Sequence, residues 1–475
     1  MKKLRIPHAL VLIYLLVIAT WGVTCLLPSG QFQRVEKVFQ GKTREVPVPG
    51  TYAPTEKPWT GPEWLVLGPV EGFADGVQII AFLFVIGGAF LVVQKTGAIE
   101  GGIHRFSAAL AHSPGARRAA VPILMTVFSL GGAVFGMAEE TMPFVLIFIP
   151  LALGLGYDSL VGVAIPFVGA AAGFAAAFFN PFTVGVAQGF CELPIYSGLP
   201  YRVLVWILGT SLVIAYVMRY AERVRKNPEL SPVYELDRLR LSSRSGDPER
   251  EGEPAWGATQ KRVLALLAAG MGVLVWGILA KQWYIDEIAA LFMALGILCG
   301  LVGGLSADDI ARSFVEGARD MMNPAFVIAC GRAILILMKH GLVLDTVLHG
   351  AASAVAMVPG IVTAQMMLLI QAVINFFIHS GTAQAALTMP VMAPLADLVG
   401  VTRQTTVLAF QLCEFVNPIL PTSAVTMGVL GMARIPWETW ARWFLPLMLL
   451  LLVFSMLVLV PPELFLKQLG WWGPF

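Results

Sequence analysis

Apolar runs of about 18 residues, the length a helix needs to cross the hydrocarbon of a bilayer, recur along almost the whole chain. They lie near 8–27, 77–94, 160–188, 203–218, 263–280, 285–302, 323–338, 406–432 and 444–459. Two further apolar stretches, 119–155 and 361–399, are longer and are broken in the middle by polar residues. Inside lipid every backbone N–H and C=O must find an internal partner, so such runs fold as helices. The expected fold class is an all-α polytopic membrane protein. Composition agrees, with 57% of the 475 residues hydrophobic and only 13% charged, about half the charged share of a soluble domain. A net charge of +2 offers no polyanion-binding surface, so nucleic acid is not an expected partner. The five Cys are scattered without a CxxC pair, which indicates neither a disulfide framework nor a zinc site.

Charge sets the orientation. Lys2, Lys3 and Arg5 precede the first run, which is long for a signal-peptide core and lacks a small-x-small cleavage site. It is expected as a retained first helix with a cytoplasmic N-terminus in the inner (plasma) membrane. His104, Arg105, Arg117 and Arg118, then Arg312 and Arg319, and finally Arg434 also fall on the cytoplasmic side. The stretch 219–262 is dense in Arg, Glu, Asp, Ser and Pro, including Arg223, Arg225, Lys226, Arg238, Arg240, Arg244 and Arg250. It reads as a cytoplasmic linker without a core of its own. The chain therefore divides into a first helix and extracytoplasmic loop (1–64) and a first repeat (65–218) with a hairpin at 119–155. The linker (219–262), a helical hairpin (263–305), a second repeat (306–460) with a hairpin at 361–399, and a tail (461–475) follow.

The two repeats share an ordered set of motifs. Glu71-Gly72-x-x-Asp75 returns as Glu316-Gly317-x-x-Asp320, and Gly87 with Lys95-x-Gly97 returns as Gly331 with Lys339-x-Gly341. Thr141-Met142-Pro143 returns as Thr388-Met389-Pro390, and Asn180-Pro181 as Asn417-Pro418. The orientation argument places the two sets upside down relative to each other. That is the inverted-repeat pattern of secondary transporters, in which paired interrupted segments mark the binding site. The broken stretches are expected as two re-entrant hairpins, and the Asn-Pro runs as two unwound transmembrane helices.

Unwinding exposes polar backbone at membrane depth, which is tolerated where it lines a polar cavity or binds a ligand. Helix N-termini facing the cavity attract carboxylates, and freed carbonyls suit a cation. The first tip carries Glu139, Glu140 and Thr141. Adjacent carboxylates at depth would repel, so one is expected to hold a proton, a coupling cation or a cationic partner. The competing reading puts them in water at the hairpin mouth or against a buried Arg. The second tip offers Ser380, Gly381, Thr382 and Gln384, with helix contact as the alternative. The unwound runs offer Asn180, Thr183 and Gln188, then Glu414, Asn417, Thr422, Ser423 and Thr426. Helix kinking alone is the alternative there. Arg332 is expected to pair with an internal carboxylate, and His379 to be a satisfied histidine. Trp437, Trp440, Trp443, Trp471 and Trp472 read as interfacial anchors.

The run from Gly381 to Ala424, with Gln384 to Gly400 and Pro421-Thr422-Ser423, resembles the YfcC-like branch of the anaerobic C4-dicarboxylate carrier (DcuC-like) family. So do Gly136-x-x-Glu139-Glu140-Thr141 and Asn180-Pro181-Phe182-Thr183-Val184-Gly185. The resemblance covers nearly the whole chain. It implies the ion transporter superfamily fold: a scaffold and a mobile transport domain with two re-entrant hairpins, as a homodimer with an elevator motion. It also implies C4-dicarboxylates or basic amino acids as substrates. The chain departs from the pattern at His379, where a small residue is usual, and at Cys413-Glu414, where Gly-Asp is common.

The function these residues point to is secondary active transport of a small amino acid or carboxylate, coupled to Na⁺ or H⁺ or run as exchange. Glu139 and Glu140 favour a substrate with a positive group, a basic amino acid before a C4-dicarboxylate. An intramembrane enzyme is the rival from another class. It would need a metal or an activated nucleophile, and the sequence has neither an HExxH motif nor an evident Ser–His pair. No catalytic residue, metal or cofactor is expected beyond the coupling ion, and the expected partners are the bilayer, a small-molecule substrate and a second copy of the chain.

Overall fold

The structure, a computed structural model, describes residues 9–39, 42–99, 101–102, 105, 114–245, 256–281, 283, 285–356 and 362–466. Lys2, Lys3, Arg5, His104, Arg250, Trp471 and Trp472 lie outside the described residues. Helix α1 (Ala9–Leu26) leads to four short strands, β1 (Gly30–Gln31), β2 (Arg34–Phe39), β3 (Lys42–Pro47) and β4 (Ala53–Pro54). Then come α2 (Trp64–Asp75), α3 (Val77–Lys95), α4 (Pro114–Phe135), α5 (Thr141–Gly154) and α6 (Ser159–Ala175). A short helical run, Pro181–Gly185 and Val186–Phe190, precedes α7 (Leu199–Lys226) and α8 (Tyr234–Ser245). The second half comprises α9 (Ala258–Lys281), α10 (Ile285–Val302), α11 (Ala307–Asp320), α12 (Met322–His340), α13 (Leu344–Ala356), α14 (Thr363–Phe377) and α15 (Gly381–Val399). It ends with α16 (Arg403–Cys413), a tight turn at Glu414–Ile419, α17 (Ala424–Ala433) and α18 (Trp437–Val458).

Seven helices among the described residues are long and apolar enough to cross a membrane. They are α3, the 118–135 part of α4, α7, α10, α12, the broken rod Arg403–Ala433, and α18 with its continuation to Leu466. The protein is thus a multi-pass, mostly helical membrane protein.

Two short helices lock the halves together. α2 packs along α12, and α11 packs along α3. The contact is backbone to backbone. A Cβ on Gly72 would lie 2.0 Å from the Ala329 carbonyl oxygen, and one on Gly317 would lie 2.3 Å from that of Gly87. The Glu-Gly-x-x-Asp motif is therefore a helix-crossing device: its glycine permits the approach, and its Asp closes the helix. α11 is further fixed by Ser306, which caps it by accepting from the Asp309 N–H at 3.1 Å.

The described part of 28–62 carries more regular structure than a polar loop. β1 pairs with β4 and β2 with β3, both antiparallel. Asp345 on α13 anchors them, accepting from the Phe32 N–H at 3.0 Å and from Arg34 Nη2 at 2.8 and 2.9 Å.

The linker also departs from its expected character. α7 continues to Lys226, and α8 docks against the membrane body. Asp158, at the turn between α5 and α6, caps α6 by accepting from Val161 at 3.0 Å. It also accepts from Ser231 Oγ at 2.7 Å and from the Tyr220 hydroxyl. Asp237 on α8 accepts from the Ser159 N–H at 2.8 Å, while Arg240 donates to the Ala433 carbonyl at the end of α17. Composition indicated a solvated segment, but these charges are spent on the exposed ends of two membrane helices.

Burial pushes the Asp158 and Asp237 carboxyls above the ordinary carboxylate range. The folded state then binds these protons more tightly than the unfolded chain. Their contribution to stability is fullest below the ordinary carboxylate pKa and shrinks as pH rises through the raised value. Asp158→Asn, which mimics the neutral form, is expected to have a flatter Tm–pH profile than the parent protein in detergent. As pH rises above about 4, the parent loses ground against the variant. Parallel profiles would refute this.

Candidate functional site

Both broken stretches fold back on themselves. α4 and α5 meet at Gly136–Glu140, and α14 and α15 meet at Ile378–Ser380. Each tip is seated by a glycine against an interrupted helix. Gly136 adopts φ +73°, which permits the sharp reversal, and a Cβ there would lie 2.7 Å from Asn180 Oδ1. A Cβ on Gly381 would lie 2.6 Å from Thr183 Cγ2 and 3.1 Å from Glu414 Oε1.

The interruptions are locally encoded. α6 stops at Ala175, and Asn180 caps the next segment by accepting from the Phe182 N–H at 2.9 Å, with Pro181 at its first position. α16 tightens at Glu414–Ile419 around Pro418 and restarts at Ala424, capped by Ser423 through the Thr426 N–H at 3.3 Å. Three carbonyls of the second interruption find partners. Asn417 O accepts from Thr426 Oγ1 at 2.9 Å, Pro418 O from Trp440 Nε1 at 2.7 Å, and Ile419 O from Trp437 Nε1 at 2.9 Å. Trp440 and Trp443 are buried. The reading of Trp437, Trp440 and Trp443 as interfacial anchors is therefore corrected: the first two hold the unwound backbone, and the third is packed in the core. Tryptophan at a helix start signals either role, and only the partner distinguishes them.

These pieces surround one cavity of about 430 Å³. Of the expected site residues, Glu139, Thr141, Ser380, Gly381, Thr382, Glu414, Asn417, Ser423 and Thr426 line it. Four helix beginnings, at Thr141, Phe182, Gly381 and Ala424, reach its wall. Glu414 is buried, with Oε2 accepting from Asn417 Nδ2 at 3.1 Å. Its Oε1 meets no hydrogen-bond geometry, and Asn375, which adjoins it, donates Nδ2 to Gln384.

Six expected residues sit behind the wall. Glu140 turns back to accept from the Ala138 N–H at 2.9 Å, fastening the tip. Asn180 and Thr183 are fully buried under the tips. Gln384 bonds Asn375 and Gln371 within the second hairpin. Thr422 donates to Phe376 O at 2.9 Å, which commits its one hydroxyl hydrogen, so the His379 Nε2 contact at 2.5 Å is a donation from the ring. Gln188 likewise belongs to a buried network with Ser197 and Gln404.

The cavity adds charges from helices outside the hairpins. Arg332 on α12 pairs with Asp75 at 3.3 Å, the internal pair expected of it. Lys339 and Gln78 also line the wall, Gln78 held by Asp286 at 3.0 Å. Lys339 and Asp75 were visible only as repeat markers, and Gln78 carried no signal.

Membrane-crossing helices around a buried, charged, ligand-sized cavity define the protein as a membrane transporter. A family model described as C4-dicarboxylate anaerobic carrier, DcuC, matches residues 6–461. The chain belongs to this family. It is 38% identical to an Escherichia coli (strain K12) protein named "Putative basic amino acid antiporter YfcC", over 98% of this chain and 97% of that one. It is 28% identical to an uncharacterized protein of Haemophilus influenzae (strain ATCC 51907 / DSM 11121 / KW20 / Rd), over 98% of each. Among solved structures, the YdaH transporter of Alcanivorax borkumensis matches with TM-score 0.41 and 16% identity, covering 98% of this chain and 100% of that one. MtrF of Neisseria gonorrhoeae, titled among antimetabolite efflux pumps, matches with TM-score 0.38 and 15% identity, covering 96% and 95%.

Proposed function

We propose that the protein is a secondary active transporter of a small amino acid, preferring a basic one, and that it works by elevator-type alternating access. The observation that carries this reading is the pair of cavity carboxylates, Glu139 and Glu414, facing four helix beginnings. The carboxylates suit an ammonium or guanidinium group, and the helix dipoles suit a carboxylate. Asp75 already neutralises Arg332, which leaves the acids in excess on the hairpin side. The printed name of the Escherichia coli relative points the same way.

In this reading 65–218 and 306–460 are inverted repeats, and the two tips are re-entrant. The hairpins, the interrupted helices and α18 form the moving body, and α2, α3, α11 and α12 form the frame. The reciprocal packing of α2 on α12 and α11 on α3 supports the repeat. The N-terminus is cytoplasmic in the inner membrane, the assembly is a homodimer, and flux is exchange or is coupled to Na⁺ or H⁺. A second reading, a C4-dicarboxylate carrier, is favoured by the family and by the helix beginnings.

Counterflow in proteoliposomes separates these. Vesicles loaded with unlabelled arginine are expected to accumulate external labelled arginine transiently and saturably. Counterflow of succinate without arginine would establish the second reading. Non-saturable leak of both would remove the carrier assignment.

A further inference from the structure

A second chamber, of about 490 Å³, adjoins the central cavity on the side of the strands. Arg34 and Glu45 line it from the β2–β3 hairpin, and Asp345 from α13. Leu335, Lys339, Ile378 and Ala383 line both spaces. The two chambers therefore meet between α12 and the start of α15.

Two of the outer chamber's four charged side chains are spent on each other. Arg34 is held by buried Asp345, its Nη2 donating to both carboxylate oxygens at 2.8 and 2.9 Å. Lys339 is exposed, with no ion pair or hydrogen bond among the described residues. It stands seven residues after Arg332 on α12, two helical turns or about 10 Å nearer the strands and on the same face. An unpaired ammonium at the junction of two water-accessible spaces, with a neutralised pair on its outer side, is a receiving group for an anion.

We propose that the outer chamber is a docking site for an amino acid on its way to the central cavity. Lys339 binds the substrate carboxylate there, and Glu45, the other charge in the chamber without an ion pair among the described residues, faces its cationic end. Substrate reaches the tips by passing Lys339. This deepens the transport reading above and rests on it. Lys339 acts on capture and release from the strand side, so its loss raises KM for flux from that side and leaves the turnover of bound substrate intact.

The test is initial-rate uptake of labelled arginine and of labelled succinate into vesicles of known orientation. Lys339→Gln is expected to raise KM from the strand side about fivefold or more, with Vmax within about twofold. Lys339→Arg should restore KM, and Lys95→Gln, at the end of α3 and outside both chambers, should leave it unchanged. An unaltered KM, or a fall in Vmax at constant KM, overturns the proposal while leaving the carrier reading in place.

A second measurement holds even if neither probe is transported. Gln31→Cys, on the wall of the outer chamber with Lys339 left intact, in a Cys25→Ser background should react with a membrane-impermeant sulfonate methanethiosulfonate added from the strand side, and arginine or succinate should slow the reaction. Lack of reaction from that side, or of protection by both probes, refutes the docking site.

Discussion

Glu414→Gln is expected to cut kcat/KM for arginine by roughly 100-fold or more while leaving expression and thermal stability close to those of the parent. The substitution is isosteric, so the difference is charge. Glu414 is buried at the point where the second tip and the interrupted α16–α17 rod meet. One oxygen is held by Asn417 at 3.1 Å, and the other meets no hydrogen-bond geometry. A carboxylate in that setting has little water to compete with an arriving cation, so its electrostatic attraction is stronger than at a surface. Removing one partner of a desolvated charge pair costs about 2–5 kcal/mol, which corresponds to the stated loss. Glutamine can still accept from Asn417, so the tip keeps its seat. Glu139→Gln is expected to act in the same direction with a smaller loss, because Glu139 lines the cavity from a more open tip. The sign is the decisive feature. If Glu414→Gln speeds succinate flux instead, the site recognises a dianion and the basic amino acid reading is wrong. Unchanged arginine kinetics would remove Glu414 from the binding site.

The parts of this site that were legible in the sequence are those where one residue type has one physical role at membrane depth. Asn before Pro in an apolar run marks a helix restart, and Asn180 is such a cap. Gly136 and Gly381 mark reversals that a side chain would block. The tips and interruptions could be placed for this reason. Which polar residues face the cavity could not be read, because facing depends on packing that sequence does not display. Glu139 and Glu140 are neighbours with opposite fates, one lining the cavity and the other folded back to Ala138. Gln384 looked like a ligand, and it holds the second hairpin together through Asn375 and Gln371.

The charged stretch 219–262 shows the opposite limit. Charge density indicated solvation, but Asp237 and Arg240 found partners on helix ends far away in the chain. Lys339 and Asp75 appeared only as matched letters in two repeats. Their chemistry became visible once α12 was seen to face both chambers.

Gly173→Val is expected to give the largest loss of stability of any conservative apolar substitution at the crossing of α6 on the first hairpin. α4 and α6 cross with their backbones in contact. A Cβ on Gly173 would lie 1.7 Å from the Ser129 carbonyl oxygen, and one on Gly132 would lie 2.1 Å from that of Ala170. Neither neighbour is the movable end of a side chain. Ser129 is fixed besides, through its hydroxyl, to Thr210 at 2.7 Å and Trp206 at 3.0 Å on α7. A valine must therefore push whole helices apart and break those bonds. Overpacking of this kind costs about 1–3 kcal/mol where side chains can shift, and more where backbone meets backbone. In a chain of this size that predicts a Tm lower by about 3–5 °C in detergent, or loss of monodisperse protein. Gly272→Ala on α9, where an added Cβ meets nothing within 4 Å, is the control and should stay within about 2 °C. The milder Gly173→Ala separates stability from function. The same crossing holds the first tip against Asn180, so a variant that still folds should bind substrate more weakly because Glu139 is displaced. A Gly173→Val protein with unaltered Tm would mean that α4 and α6 do not cross at these glycines, and the seating of the first tip would lose its physical basis.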